Sequence, residues 1–129
     1  MPRATSRLVL LLATVAPSAG CVAAAAAGAG SAVYLTSRGA AGVVQGSVSD
    51  VAGRARSVMQ EEAIVENAQS TEKGGDEQEI KGKKGDLDVT FHIQRETPTT
   101  SKVEVTARKN LAEWDKKYAQ ELLNRVVQK

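Results

Sequence analysis

The sequence predicts an α+β fold, an antiparallel sheet of about four to five strands with two helices on one face, and three observations carry that prediction. Leu87, Val89, Phe91 and Ile93 alternate with Asp88, Thr90, His92 and Gln94, the period of a strand with one buried and one wet face. Residues 47–63 and 110–127 instead repeat apolar side chains three and four apart, the period of a helix burying one stripe. Short turn signals at Gly74-Gly75, Lys84-Gly85 and Pro98 join neighbouring strands directly, which only antiparallel pairs allow. The expected order is β-α-β-β-β-β-α.

The first strand is the β-prone pair Val43-Val44, within Gly42 to Ser47. Ser47 then opens a helix, because its hydroxyl can accept from a free amide at the helix start and Asp50 stands three residues on. Val48, Val51, Ala52, Ala55, Val58 and Met59 form its apolar stripe, Arg54, Arg56 and Gln60 face out, and the helix stops near Ala63. Ile64 to Thr71 is the second strand and Glu77 to Lys83 the third. Val103, Val105 and Ala107 repeat the alternation of strand four in strand five. Asn110 caps the last helix with Glu113 in the reciprocal position, and Trp114, Tyr118, Leu122 and Val126 mark its buried face, with Trp114 as the domain's anchor.

Register follows from the same pattern. A hairpin centred on Pro98 sets Val89 against Ala107, Phe91 against Val105 and Ile93 against Val103 inside, and Asp88 against Arg108, Thr90 against Thr106, His92 against Glu104 and Gln94 against Lys102 outside. A turn at Lys84-Gly85 sets Ile80 against Val89 and Lys81 against Asp88, leaving Asp88 between two cations and His92 held by Glu104.

Ahead of this domain lies an export address. Residues 1–7 hold Arg3 and Arg7 and no acid, residues 8–16 are a nine-residue apolar run too short to cross a bilayer, and Pro17 ends any helix there. Ser18-Ala19-Gly20-Cys21 follows and resembles the lipobox of bacterial lipoproteins; Ala19, Gly20 and Cys21 match it, whereas Ser18 stands where an aliphatic residue is usual. The resemblance implies that Cys21 is acylated and becomes the first mature residue. In diderm lipoproteins an Asp after the cysteine retains the protein at the inner membrane. Val22 in that place implies passage to the outer membrane, facing the periplasm.

Two alternatives stay open: secretion after cleavage elsewhere among the alanines, and an uncleaved anchor, since small and apolar residues continue to Leu35. The chain thus divides into a signal peptide at 1–20, a lipidated Cys21 with an Ala/Gly-rich tether at 21–41, and the α+β domain at 42–129, which carries every patterned core residue and is expected to fold alone.

Composition narrows the function classes. With the two leader arginines removed, 15 of the 17 basic side chains remain against 15 acidic ones, so the mature chain is near neutral. A neutral chain with 3% aromatic residues lacks both the basic face and the stacking platforms of nucleic-acid binders. One Cys and one His supply neither an internal disulfide nor a His/Cys metal set, and no cofactor is implied. Gly28 and Gly30 do not make a dinucleotide fingerprint, because no strand precedes them.

Taken together, the lipobox cysteine, the Ala/Gly spacer, the strand running into a helix, the polar-faced strands and the terminal helix resemble a domain-of-unknown-function family of short bacterial lipoproteins. No active residue carries over from that resemblance.

Catalytic sets are sparse. His92 is the only histidine and lies on a wet strand face, no Gly-x-Ser-x-Gly elbow is present, and the acid pairs Asp86/Asp88 and Glu61/Glu62 would need a cleft to divide acid and base roles. Lys81, Lys83 and Lys84 form the densest cationic cluster, a candidate contact for anionic lipid head groups. The expectation is a non-enzymatic envelope lipoprotein, held to the membrane through acylated Cys21, whose domain binds an envelope protein or has a structural role. The alternative is a small membrane-associated hydrolase or ligand-processing protein.

Overall fold

A computed structural model describes residues 33–129. The leader, the Ser18–Cys21 motif and the tether as far as residue 32 lie outside the described residues. The domain is an α+β two-layer fold of six antiparallel strands and two helices: β1 (Val33–Leu35), β2 (Gly39–Gln45), α1 (Val48–Glu61), β3 (Val65–Glu72), β4 (Glu77–Lys84), β5 (Leu87–Thr97), β6 (Thr100–Arg108) and α2 (Lys116–Gln128). The spatial order is β1-β2-β6-β5-β4-β3. Helix α1 therefore carries the chain from β2 to the far edge, and the meander β3 to β6 returns to pair with β2.

The sixth strand corrects the expected tether. Val33–Leu35 pair with Ala40–Gly42, and β2 begins at Gly39, so residues 33–41 belong to the sheet and the domain starts ahead of residue 42. Alanine and glycine have little strand propensity of their own. Here tertiary context decides: Ala40 is fully buried beneath the helix layer, where a small side chain lets a helix approach the sheet. An apolar stretch read as continuing to Leu35 thus ends in a strand, and any helical membrane span stops before Val33. Among the described residues no helix is long and apolar enough to cross a membrane.

Both helices pack on one face of the sheet. The core joins Val48, Val51, Val58 and Met59 of α1 and Leu122, Leu123 and Val126 of α2 to the inward side chains Val44, Ile80, Val89, Phe91, Ile93, Val103 and Val105. Each large side chain taken from water there contributes about 1.5–3 kcal/mol before the entropy of ordering it. Ser47 caps α1 as the pattern predicts, its Oγ accepting from Asp50 N at 3.1 Å. Gly82 lies on the inner face where Met59 and Ile64 close down. A Cβ there would stand 2.5 Å from Met59 Cε and 2.7 Å from Ile64 Cγ2.

The β5–β6 register matches the sequence expectation pair for pair, from Asp88↔Arg108 to Gln94↔Lys102. The β4–β5 register does not. The turn residues are Gly85-Asp86, with Gly85 at φ 59°, so Ile80 faces Phe91 and Lys83 faces Asp88. Because the shift moves each partner by two residues, every side chain keeps its predicted face.

Helix α2 starts five residues later than the pattern suggested, its cap moving from Asn110 to Asp115. Asn110 Oδ1 accepts from Glu113 N at 3.0 Å and its Nδ2 donates to Glu113 Oε2 at 3.2 Å, so the reciprocal contact forms, but it closes a turn. Asp115 is the true cap, accepting from Tyr118 N at 3.0 Å. Trp114 therefore precedes the helix. It bridges Arg108 at the end of β6, is half-buried, and stays out of the core.

Candidate functional site

Among the described residues no helix covers the outer face of the sheet. Its side chains come from the polar positions of the alternating strands and lie in rows set by register: Ala41, Glu104, His92, Glu79 and Ser70 in one, Gly39, Thr106, Thr90, Lys81 and Ala68 in the next. Two features of this face gather functional groups: a hollow against Trp114, and the His92 imidazole with its carboxylate.

Trp114 reaches the outer face through the backbone. Lys109 N donates to Glu113 O at 2.9 Å and Asp115 N to Ala107 O at 2.7 Å, which folds the 109–115 loop back along β6. Two guanidinium groups fix the indole. Arg38, from the β1–β2 turn, sits 5.6 Å from its centroid, and Arg108 sits 6.0 Å away. Beside the ring opens a hollow of about 370 Å³, floored by Thr90 and Thr106 and walled by Asn67 at the bulge of edge strand β3. Its four charges balance in sign. Lys81 Nζ is 2.9 Å from Glu79, and Asp88 stands between Lys83 at 3.4 Å and Arg108 at 3.7 Å.

His92 faces Glu104 in register, yet its imidazole turns the other way. Nε2 donates to Glu77 Oε1 on β4 at 2.6 Å, while Lys73 Nζ lies 2.6 Å from Glu77 Oε2. These two contacts, Lys73 first and His92 second, hold the Glu77 carboxyl down at about 2, against an opposing push from burial. The expected Glu104 partner is thus corrected to Glu77. Ser70 shares a small hollow of about 50 Å³ with His92 and Glu77, and among the described residues no hydrogen bond joins Ser70 to the imidazole.

The three candidate lysines do not form one patch. Lys81 and Lys83 lie on the outer face with carboxylate partners, whereas Lys84 turns to the helix layer. There its ammonium lies 5.3 Å from the Tyr118 ring centroid, donates to Tyr118 Oη at 3.3 Å and meets Glu62 at 3.4 Å. Period-2 alternation separates neighbours 83 and 84 onto opposite faces.

The acid pairs separate as well. Glu62 accepts from Tyr118 Oη at 3.1 Å and pairs with Arg125 at 2.8 Å, while Glu61 pairs with Arg125 and Lys129. Burial pushes the Glu62 carboxyl up, but the Tyr118 and Lys84 hydrogen bonds and the charge of Arg125 outweigh it and leave it lowered. Both acids tie the end of α1 to α2. Asp86 belongs to the β4–β5 turn and Asp88 to the Lys83–Arg108 pair.

Among the described residues no group of three or more His, Cys, Asp or Glu side chains is placed to hold a metal ion. Arg38 and Asn67 are among the site residues that sequence reasoning missed, as are Lys73, Glu77, Glu79 and Ser70. Arg38 lay in the presumed tether, and Asn67 becomes visible only through the bulge that shifts β3 between Glu66 and Ala68. Compared with protein-family models, curated proteins and solved structures, the chain matches none of them.

Proposed function

We propose that the chain is a lipid-anchored bacterial envelope protein whose α+β domain serves as a non-enzymatic binding module. The support for the anchor is the order of Arg3 and Arg7, the apolar run 8–16 and Ser18-Ala19-Gly20-Cys21. Eleven residues separate Cys21 from Val33, a reach of at most roughly 40 Å, so the domain works close to the bilayer. The observation that carries the binding reading is the open outer face, whose charged side chains are paired with one another around a hollow instead of converging on a reacting atom.

Mass spectrometry of the mature N-terminus tests the anchor. An acylated Cys21 as first residue is the expected result, and two or three chains give stable attachment where one is marginal. An unmodified Cys21, or a mature chain starting elsewhere, overturns it.

A second reading, a small hydrolase, has one observation in its favour: Glu77, His92 and Ser70 border a single hollow, an order resembling acid, base and nucleophile. His92→Ala separates the two. Binding-module function survives the substitution, whereas a folded His92→Ala protein that loses all envelope function supports the hydrolase.

A further inference from the structure

We propose that the hollow beside Trp114 binds an uncharged glycan. The inference deepens the binding-module reading by giving the open face a ligand class. It starts from the charge balance, because two cations and two carboxylates border the same space: Lys81 and Arg108 against Glu79 and Asp88. Among the lining side chains an anionic ligand meets two carboxylates and a cationic one meets an ammonium and a guanidinium, so the lining itself selects neither sign. Lys83 and Arg38 stand behind it, as the partner of Asp88 and the support of the indole. A ligand made of hydroxyl groups uses both, since each hydroxyl donates one hydrogen bond and accepts others.

The side chains are prepared for that use. Lys81 is held by Glu79 at 2.9 Å, and Asp88 is held between Lys83 and Arg108 at 3.4 and 3.7 Å. Each group keeps spare hydrogen-bonding capacity, the guanidinium with five donors and each carboxylate with several acceptor positions. Thr90 and Thr106 stand opposite each other on β5 and β6 and put two hydroxyls on the floor, and the Asn67 amide adds donors and an acceptor from the edge strand.

The aromatic wall completes the chemistry. Trp114 is half-buried on a polar face, held by Arg38 and Arg108, and contributes nothing to the core. The indole surface that Arg38 and Arg108 leave uncovered toward the hollow is electron-rich and attracts the weakly positive C–H bonds that line one side of a sugar ring. A volume of about 370 Å³ lies in the range of small-ligand sites.

Trp114 is the chain's one tryptophan, so its emission reports this site alone. The test titrates the full-length chain in detergent with maltotriose, with triacetylchitotriose and with inorganic phosphate, following that emission. At least one trisaccharide is expected to shift it saturably in the millimolar range, with phosphate inert. Asn67→Ala, an exposed edge position, and Thr106→Val should each weaken the response about fivefold to tenfold. A response to phosphate alone overturns the proposal in favour of an anion site. No saturable response to either sugar also overturns it, as does a response that both variants leave unchanged. The outcome is independent of acylation. Unmodified Cys21 with sugar binding defeats only the anchor, and acylated Cys21 without sugar binding defeats only the glycan site.

Discussion

His92 Nε2 lies 2.6 Å from Glu77 Oε1, one strand away and off the row that register assigns it. With Lys73 on its other oxygen, Glu77 is held at about 2. A carboxyl held below its ordinary value of 4.5 stabilises the fold above that value, and the contribution disappears as pH falls towards about 2. Glu62 is lowered too and acts in the same direction. Thermal melts from pH 5 down to about 2 should therefore show a falling Tm, and Glu77→Gln should start lower and fall less steeply. Equal slopes for the two proteins would show that Glu77 has no part in acid stability.

Gly82→Ala tests a close approach of α1 and the β3 entry to the sheet. The added Cβ would stand 2.5 Å from Met59 Cε, 2.7 Å from Ile64 Cγ2 and 2.8 Å from the Val65 carbonyl oxygen. The Met59 chain can yield, but the carbonyl cannot without disturbing the β3–β4 pairing. A cost of about 1–3 kcal/mol is expected in urea unfolding. A neutral result would mean that α1 sits further from β4.

Trp114→Ala should cost only about 1 kcal/mol, the scale of two partly exposed cation–π contacts. A core tryptophan would cost about 3–5 kcal/mol. Urea unfolding followed by far-UV circular dichroism distinguishes the two, since that signal does not depend on the indole. Phe91→Ala serves as the reference, because Phe91 is fully buried and should show the larger loss.

The contrast between Trp114 and Phe91 marks how far sequence could be read. Phe91 belongs to a strict period-2 run, and that run, with the matching alternation of β6 and a hairpin centred on Pro98, was enough to set the β5–β6 register and the buried face, though not the β4 neighbour of His92. Trp114 fitted a helical period equally well, because Asn110 and Glu113 form the same reciprocal contact in a turn as at a helix start. Which of two adjacent Asx caps opens the helix depends on the Lys109–Glu113 and Asp115–Ala107 backbone bonds, and these are tertiary. For the site, alternation set Lys81 on the outer face but against the wrong partner, since Thr90 and not Asp88 lies opposite it and Lys83 takes the Asp88 place. The same alternation parts Lys84 from both once the strand is known to run through Lys84. Arg38 carried no signal, since only pairing with β2 and β6 makes strands of the Ala/Gly stretch around it.

That stretch supports the strongest test of the corrected domain boundary. A fragment beginning at residue 42 keeps Gly42 to Gln45 against Val103 to Thr100, but it loses β1 and the pairs Gly39↔Thr106, Ala40↔Val105 and Ala41↔Glu104. Backbone groups of β6 then face water along half a strand, and the buried Ala40 side chain and the Val33 packing are gone from under the helix layer. Three lost pairs at about 1 kcal/mol per hydrogen bond, with the missing apolar contacts, amount to at least about 3 kcal/mol. A small domain has about 5–15 kcal/mol in total, so the loss is a large fraction. The fragment 33–129 should unfold cooperatively, and 42–129 should melt well below it or remain unfolded. Equal melting of the two would mean that β1 and the start of β2 are ornaments on a sheet complete without them. It would also return residues 33–41 to the role of tether. If 33–129 itself fails to fold, residues ahead of Val33 contribute to the core, which would be seen as recovery on restoring residues 22–32.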